Sequence, residues 1–405
     1  MPSEFHHSTT NSTTNTNQSY KRLVVKVGTN VITGSDRLLD VPTMRHLTSQ
    51  MSTLRQEGIE VILVSSGAVG AGRALIALSD KVDAVSARQI WAAVGQIPLF
   101  QTYKDLFAAH GLHCAQVLAT REDFRDRAHY LNMKNCFSAL LAHGIVPIVN
   151  ENDVVSVTEL MFTDNDELAG LIASMMNADA LVLLTNVDGI YDAPPSDPQA
   201  RVIPVIEPSI LADKVTPKTT SKSSSKAASA TSSVLSSITQ EKSSFGRGGM
   251  LTKYSIARQC ASMGMTVHIA NGKAQNTLVS LARYAVTGSG ERVGTTFLPT
   301  KSASSVKRWI AHARGYEKGV VYVNAGAAAK LLAPEKASSL LPVGITKIEG
   351  VFEKGDIVKI CHADSGETLA FGIARYGSES ARHVMGLKQQ KPLVHYDYLF
   401  IVPTS

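Results

Sequence analysis

Two lysines sit beside glycine-containing loops far apart in the chain, Lys26 just before Gly28 and Lys253 just after Gly248-Gly249. Between them lie two clusters of carboxylates and amides, Asn150 to Asp153 and Asp164 to Asp166. Fixed cations, free backbone amides and carboxylates together suit phosphoryl transfer. The transferred group spreads negative charge over its oxygens, so catalysis rests on alignment, cationic side chains and Mg2+. Lysine acts as a compact point charge toward phosphate. Asp166 could hold both ammoniums in place, and Asp153 and Asn165 could bind a polar acceptor. Each feature alone has an ordinary explanation as well: a lysine can snorkel at a sheet rim, and Asn and Asp are common in loops and caps.

The elements that must carry these groups are legible as alternating strands and helices. Leu23 to Val27 reads as a buried strand, so the Lys26 ammonium needs either a carboxylate or a bound phosphate to answer it. Met44, Leu47, Met51 and Leu54 mark a helix that ends at Gly58, and Ile59 to Val64 forms the next strand. That β-α-β unit predicts a parallel sheet. The loop Ser65 to Arg73 is built from small residues that let a ligand approach the backbone. Its order is Gly-x-x-Gly-x-Gly, which is neither the dinucleotide fingerprint nor a P-loop. Ala84 to His110 reads as one long helix or two, interrupted near Gly95 and Pro98, and Arg121 to Arg127 as a solvated face. Ile145 to Val149 is a short strand that delivers Asn150 to Asp153 at its C-terminal end, where open α/β sheets place ligands. Asp164 and Asn165 then cap a helix over about Asp166 to Asn177. Ala180 to Leu184 and Met265 to Ala270 supply two more strands, with a helix to about Met263 before the second.

Composition places these elements in a globular protein. The 405 residues suffice for two or three domains, with 44% apolar and 18% charged side chains. A net charge of +6, partly carried by one linker, is weak support for an acidic partner. Cys114, Cys136, Cys260 and Cys361 show no metal-ligand spacing and are expected as reduced, buried thiols. Residues 1–20 read as a disordered tail without signal-peptide features, and no apolar run approaches the ~20 residues that span a bilayer, so a soluble cytoplasmic protein is expected. Residues 213–244 are serine-rich and read as a mobile, dispensable insertion in a domain covering 21–300. Short β-like runs within 307–402 predict a separate, small, mainly β domain.

The motifs taken together resemble a known family. Lys26-Val27-Gly28-Thr29, Ser65-Ser66-Gly67-Ala68, Asn150-Glu151-Asn152-Asp153, Asp164-Asn165-Asp166, Thr185 to Tyr191 and Gly248 to Lys253, in this order, look like glutamate 5-kinase. Lys307 to Ile310, Ser338 to Ile345 and Gly350 to Asp356 look like the PUA domain that follows the kinase in many of these enzymes. The resemblance implies an α/β amino-acid-kinase fold, a mainly parallel sheet between helix layers, followed by a mainly β PUA-like domain. It implies transfer of the ATP γ-phosphate to the side-chain carboxylate of L-glutamate, the first step of proline biosynthesis, with Mg2+ and with proline as inhibitor. Carried over by position, Lys26 and Lys253 bind the phosphates and Asp166 organises them, while Ser66, Asp153 and Asn165 hold glutamate. Gly28, Thr185, Asn186 and the loop Arg247, Gly248, Gly249, Met250, Leu251, Thr252 and Lys253 line the nucleotide pocket. Asn186 and Arg247 depart from the Asp and Thr usual in the family. The product is a labile acyl phosphate, which implies glutamate-5-semialdehyde dehydrogenase, the γ-glutamyl phosphate reductase, as pathway partner. A homo-oligomer is expected. The alternatives are another amino-acid kinase, or an RNA-binding factor acting through the PUA-like region.

Overall fold

The computed structural model describes residues 20–36, 38–156, 162, 164–195, 197–207, 249–288, 292–300, 310, 317–333 and 338–402. The expected N-terminal tail and serine-rich insertion lie outside the described residues. In the first part of the chain the elements run β1 (Arg22–Val27), α1 (Thr29–Ile32), α2 (Val41–Gln56), β2 (Glu60–Ser65), α3 (Ala68–Leu75), α4 (Ala84–Ala108), β3 (Cys114–Ala119), α5 (Arg121–Arg125), α6 (Arg127–Ala142), β4 (Val146–Glu151), α7 (Asn165–Met175), β5 (Ala180–Thr185), β6 (Val205–Ile206), α8 (Met250–Ser262), β7 (Thr266–Asn271), α9 (Thr277–Thr287) and β8 (Thr295–Phe297). The strands form one sheet in the order β3-β4-β2-β1-β5-β7-β8-β6, mainly parallel, with β8 antiparallel to β7.

Alternation along the central strands builds the two helix layers. Val24, Ile62, Val64, Leu181 and Leu183 enter one core with residues of α6, α7 and α8. Leu23, Val25, Val27, Val61, Leu63, Val182 and Leu184 enter the other with residues of α2, α4 and α9. Because side chains alternate with period two, Lys26 shares the face of Val24 and is directed toward α7 and α8. The sheet changes winding direction around β1, since β2 to β4 lie on one side and β5 to β8 on the other. Such a reversal opens a crevice beyond the C-terminal strand ends.

A second sheet of five strands has the order β10-β9-β11-β12-β13, formed by β9 (Gly319–Val323), β10 (Ile345–Gly350), β11 (Ile357–His362), β12 (Thr368–Ile373) and β13 (Leu399–Ile401). It has its own apolar cluster around Val321, Phe352, Ile360 and Leu369.

One open reading is decided and three expectations change. First, α4 is a single helix despite Pro98. Leu99, Tyr103 and Phe107 anchor its second half in the core, and Gly95 marks a close helix crossing instead of a break. Second, Arg121 does not lie on a solvated face: it pairs with Glu167 of α7 at 2.5 Å, while Phe124 is buried. Third, Asp164 occupies the N-cap position of α7 but makes no side-chain cap. Fourth, all four cysteines are free, yet Cys136 is exposed and Cys114 half-buried. Among the described residues no helix is long and apolar enough to cross a membrane.

Candidate active site

The direction of Lys26 set by the strand brings it onto the first turn of α7. Lys26 Nζ is 2.7 Å from Asp166 Oδ1, and Lys253 Nζ, from the first turn of α8, is 2.9 Å from Asp166 Oδ2. One carboxylate therefore bridges both ammoniums, one oxygen to each. Asp164 stands behind the pair, 3.6 Å from Lys26 and 4.0 Å from Lys253. Lys26 is 2% exposed, Lys253 7% and Asp166 0%. Ions so far from water lose several kcal/mol of hydration each, and only close opposite charges make the arrangement tolerable.

The two aspartates respond oppositely to this setting. Burial favours the protonated form of both. At Asp166 the two lysines overcome burial and hold the carboxyl well below the usual range. At Asp164 burial prevails over Lys26, the charge of Asp166 adds to it, and the pKa rises to about 6. Burial would lower the Lys26 pKa, but Asp166 and Asp164 raise it above its ordinary 10.5.

A chain of amides leads from this cluster to Ser66 and to α4. Asn165 Nδ2 donates to Ser66 Oγ at 2.8 Å and to Asn150 Oδ1 at 2.9 Å. Asn150 Nδ2 in turn donates to Gln96 Oε1 at 2.9 Å. Asp153 stands apart from Asn165 and takes two hydrogen bonds from Arg88, from Nε at 3.0 Å and Nη2 at 2.6 Å, both to Oδ1. Glu151 lies 3.7 Å from the same guanidinium. Gln89 adds a third tie from α4, to the Val154 carbonyl at 2.6 Å. Arg88, Ala92 and Gln96 recur every fourth residue and so share one face of α4.

What fixes α4 there is its crossing with α3. A Cβ on Gly95 would lie 1.9 Å from Ala68 O, and one on Gly72 would lie 1.8 Å from Trp91 O. The two backbones touch, which holds the α3 N-terminus, with Gly67 at φ +113° just after Ser66, against α4.

The residues expected to bind a nucleotide lie at the ends of β1 and β5 and at the start of α8. Gly28 lies so close to Lys26 that an added Cβ would stand 3.5 Å from its Nζ. Gly249 precedes α8 without a side-chain cap, so the first amides of that helix and its dipole are turned toward any anion bound there. Met250, Leu251 and Thr252 form the first turn with Lys253, and Leu251 is exposed. Thr185 ends β5 beside exposed Asn186, and its carbonyl accepts from Gly272 at 2.8 Å. Asn271 at the end of β7 donates to Asp188 at 2.8 Å. Arg247 and Gly248 lie outside the described residues.

The structure thus joins Lys26, Lys253 and Asp166 in one cluster and Ser66 and Asn165 in another, with Asp153 tied to neither. It adds Asp164, Arg88 and Gln96. The latter two carried no signal in the sequence, since an arginine and a glutamine on an ordinary helix mark nothing until the partner strand is known.

Comparison with known proteins gives a consistent picture. Residues 21–271 match the Amino acid kinase family and residues 319–396 the PUA domain. A glutamate 5-kinase of Chlorobaculum tepidum is 50% identical over 95% of this chain and 98% of its own length. That of Bacteroides thetaiotaomicron is 49% identical over 95% and 99%. That of Chromohalobacter salexigens is 37% identical over 94% and 96%.

Proposed function

The chain belongs to the glutamate 5-kinases, amino-acid kinases followed by a PUA domain, and from that membership we propose how its residues divide the reaction. The enzyme phosphorylates the side-chain carboxylate of glutamate with ATP, at the start of proline biosynthesis. A glutamate carboxylate oxygen attacks the γ-phosphorus, the bond to the β,γ-bridging oxygen breaks, and its electron pair leaves with ADP. The nucleophile is already an anion, so no proton need be removed. The site accordingly needs cations and alignment more than a base.

The observation that carries this reading is the bridging of Lys26 and Lys253 by Asp166. Two ammoniums held on one carboxylate are fixed in space, so that they meet the γ-phosphoryl oxygens without reorganising as charge develops. Gly28 and the amides that open α8 receive the other phosphates. Thr185 and Asn186 line the nucleotide, with Met250, Leu251 and Thr252 beside it. Ser66 and Asn165 hold the acceptor near the point of transfer, and Asp153 takes its ammonium.

Mg2+ would arrive with the nucleotide. Among the described residues no group of three or more His, Cys, Asp or Glu could cage a metal. Asp164 Oδ2 is buried without a hydrogen bond from the described residues, which fits an acceptor facing a nucleotide-borne ion. The bound ion supplies charge neutralisation on the phosphates. The labile acyl phosphate calls for prompt reduction by glutamate-5-semialdehyde dehydrogenase, and the family resemblance supports an oligomeric, proline-inhibited, cytoplasmic enzyme.

The direct test is glutamate-dependent ADP release with hydroxylamine trapping of the acyl phosphate. A folded, ATP-binding sample that gives neither signal in the presence of Mg2+ would overturn the assignment.

A further inference from the structure

The Arg88–Asp153 pair is arranged asymmetrically. Both guanidinium donors that reach Asp153, Nε and Nη2, converge on Oδ1. Asp153 Oδ2 and Arg88 Nη1 make no hydrogen bond among the described residues. The aspartate is 6% exposed, whereas the arginine side chain keeps 29% of its surface. A pair whose only task was mutual neutralisation would gain most from the bidentate fork, with one N–H to each carboxylate oxygen. This pair leaves one carboxylate oxygen and one guanidinium nitrogen without a hydrogen bond among the described residues. Asp153 also lines a cleft of about 430 Å³ with Gln96, Phe100 and Glu151, so its neighbourhood can be reached from outside.

An unbonded carboxylate oxygen and an unbonded guanidinium nitrogen on two paired residues are complementary to the ammonium and α-carboxylate of an amino acid. We propose that Arg88 is a specificity-determining residue for the acceptor, taking the α-carboxylate on Nη1 while Asp153 Oδ2 takes the α-ammonium. The inference rests on the reading that Asp153 faces the acceptor. It gives that reading a second half: the pair recognises the amino-acid end, and the side-chain carboxylate is left to reach the lysines. Gln96 ties the same helix to Asn150 of β4 and Gln89 ties it to the Val154 carbonyl in the loop after β4, so the pair is held in place before the acceptor arrives.

The test uses the full chain with saturating ATP and Mg2+ and compares wild type, Arg88→Met and Arg88→Lys. The KM for L-glutamate is measured together with the inhibition constants of two competitors. Glutarate keeps both carboxylates and lacks the ammonium. 4-Aminobutyrate keeps the ammonium and lacks the α-carboxylate. With Arg88→Met, glutamate and glutarate should weaken by about 10- to 100-fold, the loss of one charge-assisted contact. 4-Aminobutyrate should change by less than about twofold, because it never made that contact. Arg88→Lys keeps the charge without the planar fork and should fall between, and it carries the same comparison if the methionine variant does not fold. Equal weakening of all three ligands would assign Arg88 a merely structural role and overturn the proposal, as would an unchanged KM for glutamate. A folded wild-type chain that releases no ADP with glutamate would instead overturn the functional reading itself.

Discussion

Lys26 Nζ stands 2.7 Å from Asp166 Oδ1, both side chains almost wholly shut from water, although one residue lies near the end of a strand and the other in the first turn of a helix far along the chain. Asp166 is the common partner of two cations, so its charge matters more than that of either lysine. Asp166→Asn should leave two ammoniums facing each other and cost about 3–5 kcal/mol of stability, the penalty for orphaning a buried charge. Urea unfolding at pH 7 measures it. A loss below about 1 kcal/mol would show that water enters the cluster and that the pairing is weak.

Lys253→Ala removes one of the two cations and leaves Lys26 on Asp166. Turnover should fall by about 100- to 1,000-fold, as when a donor is removed from a preorganised anion site. Stability should fall less than for Asp166→Asn. Steady-state ADP release together with thermal melting separates the two effects, and unchanged turnover would remove Lys253 from the mechanism.

Gly95→Ala inserts a methyl 1.9 Å from Ala68 O and 2.2 Å from Gly72 N, where backbone faces backbone and no flexible side chain can yield. The helices must part, at a cost of about 1–3 kcal/mol or more. Since α4 carries Arg88 and Gln96 and α3 follows Ser66, the KM for glutamate should rise while that for ATP stays close to wild type. Gly288→Ala makes a useful comparison: its Cβ meets nothing within 4 Å and only φ +63° opposes it, so about 1 kcal/mol is expected with no change in KM.

Asp164 gives stability an unusual pH dependence. Its folded pKa of about 6 lies above its ordinary 3.8, so between those values the folded chain keeps a proton that the unfolded chain has lost. Stability from this group therefore declines as pH rises from 3.8 to about 6, and the decline is complete above that. Asp166, shifted the other way, stabilises the fold above its ordinary pKa and loses that contribution only as pH falls through its lowered folded value. Asp164→Asn should match wild type near the acid end of this window and exceed it by about 1–3 kcal/mol at neutral pH. Urea unfolding at both pH values reads the difference, and parallel curves for the two proteins would show that Asp164 titrates normally.

Much of the Lys26–Asp166–Lys253 cluster was legible in the sequence because its parts are local. Lys26 on an apolar strand, the two glycine loops and the acids opening α7 each break a pattern that composition would otherwise complete. Arg88, Gln96 and the Gly72–Gly95 crossing were illegible because they depend on α4 passing across the end of β4, a long-range relation that leaves no trace in helix periodicity. The same holds for Arg121, whose partner Glu167 lies in a different helix. Asp164 was read as a cap from its local spacing, and the pull of two distant ammoniums gave its side chain another use.

The three charged residues of the cluster appear in the order Lys26, Asp166, Lys253 as the chain is synthesised. Once α7 has emerged, Lys26 can already meet Asp166, with Asp164 nearby, and that pocket carries an excess of negative charge. Such a pocket repels anions. Only when α8 docks beside β7 does Lys253 bring the account of charges to balance. The late lysine thus makes electroneutrality a signature of completed assembly.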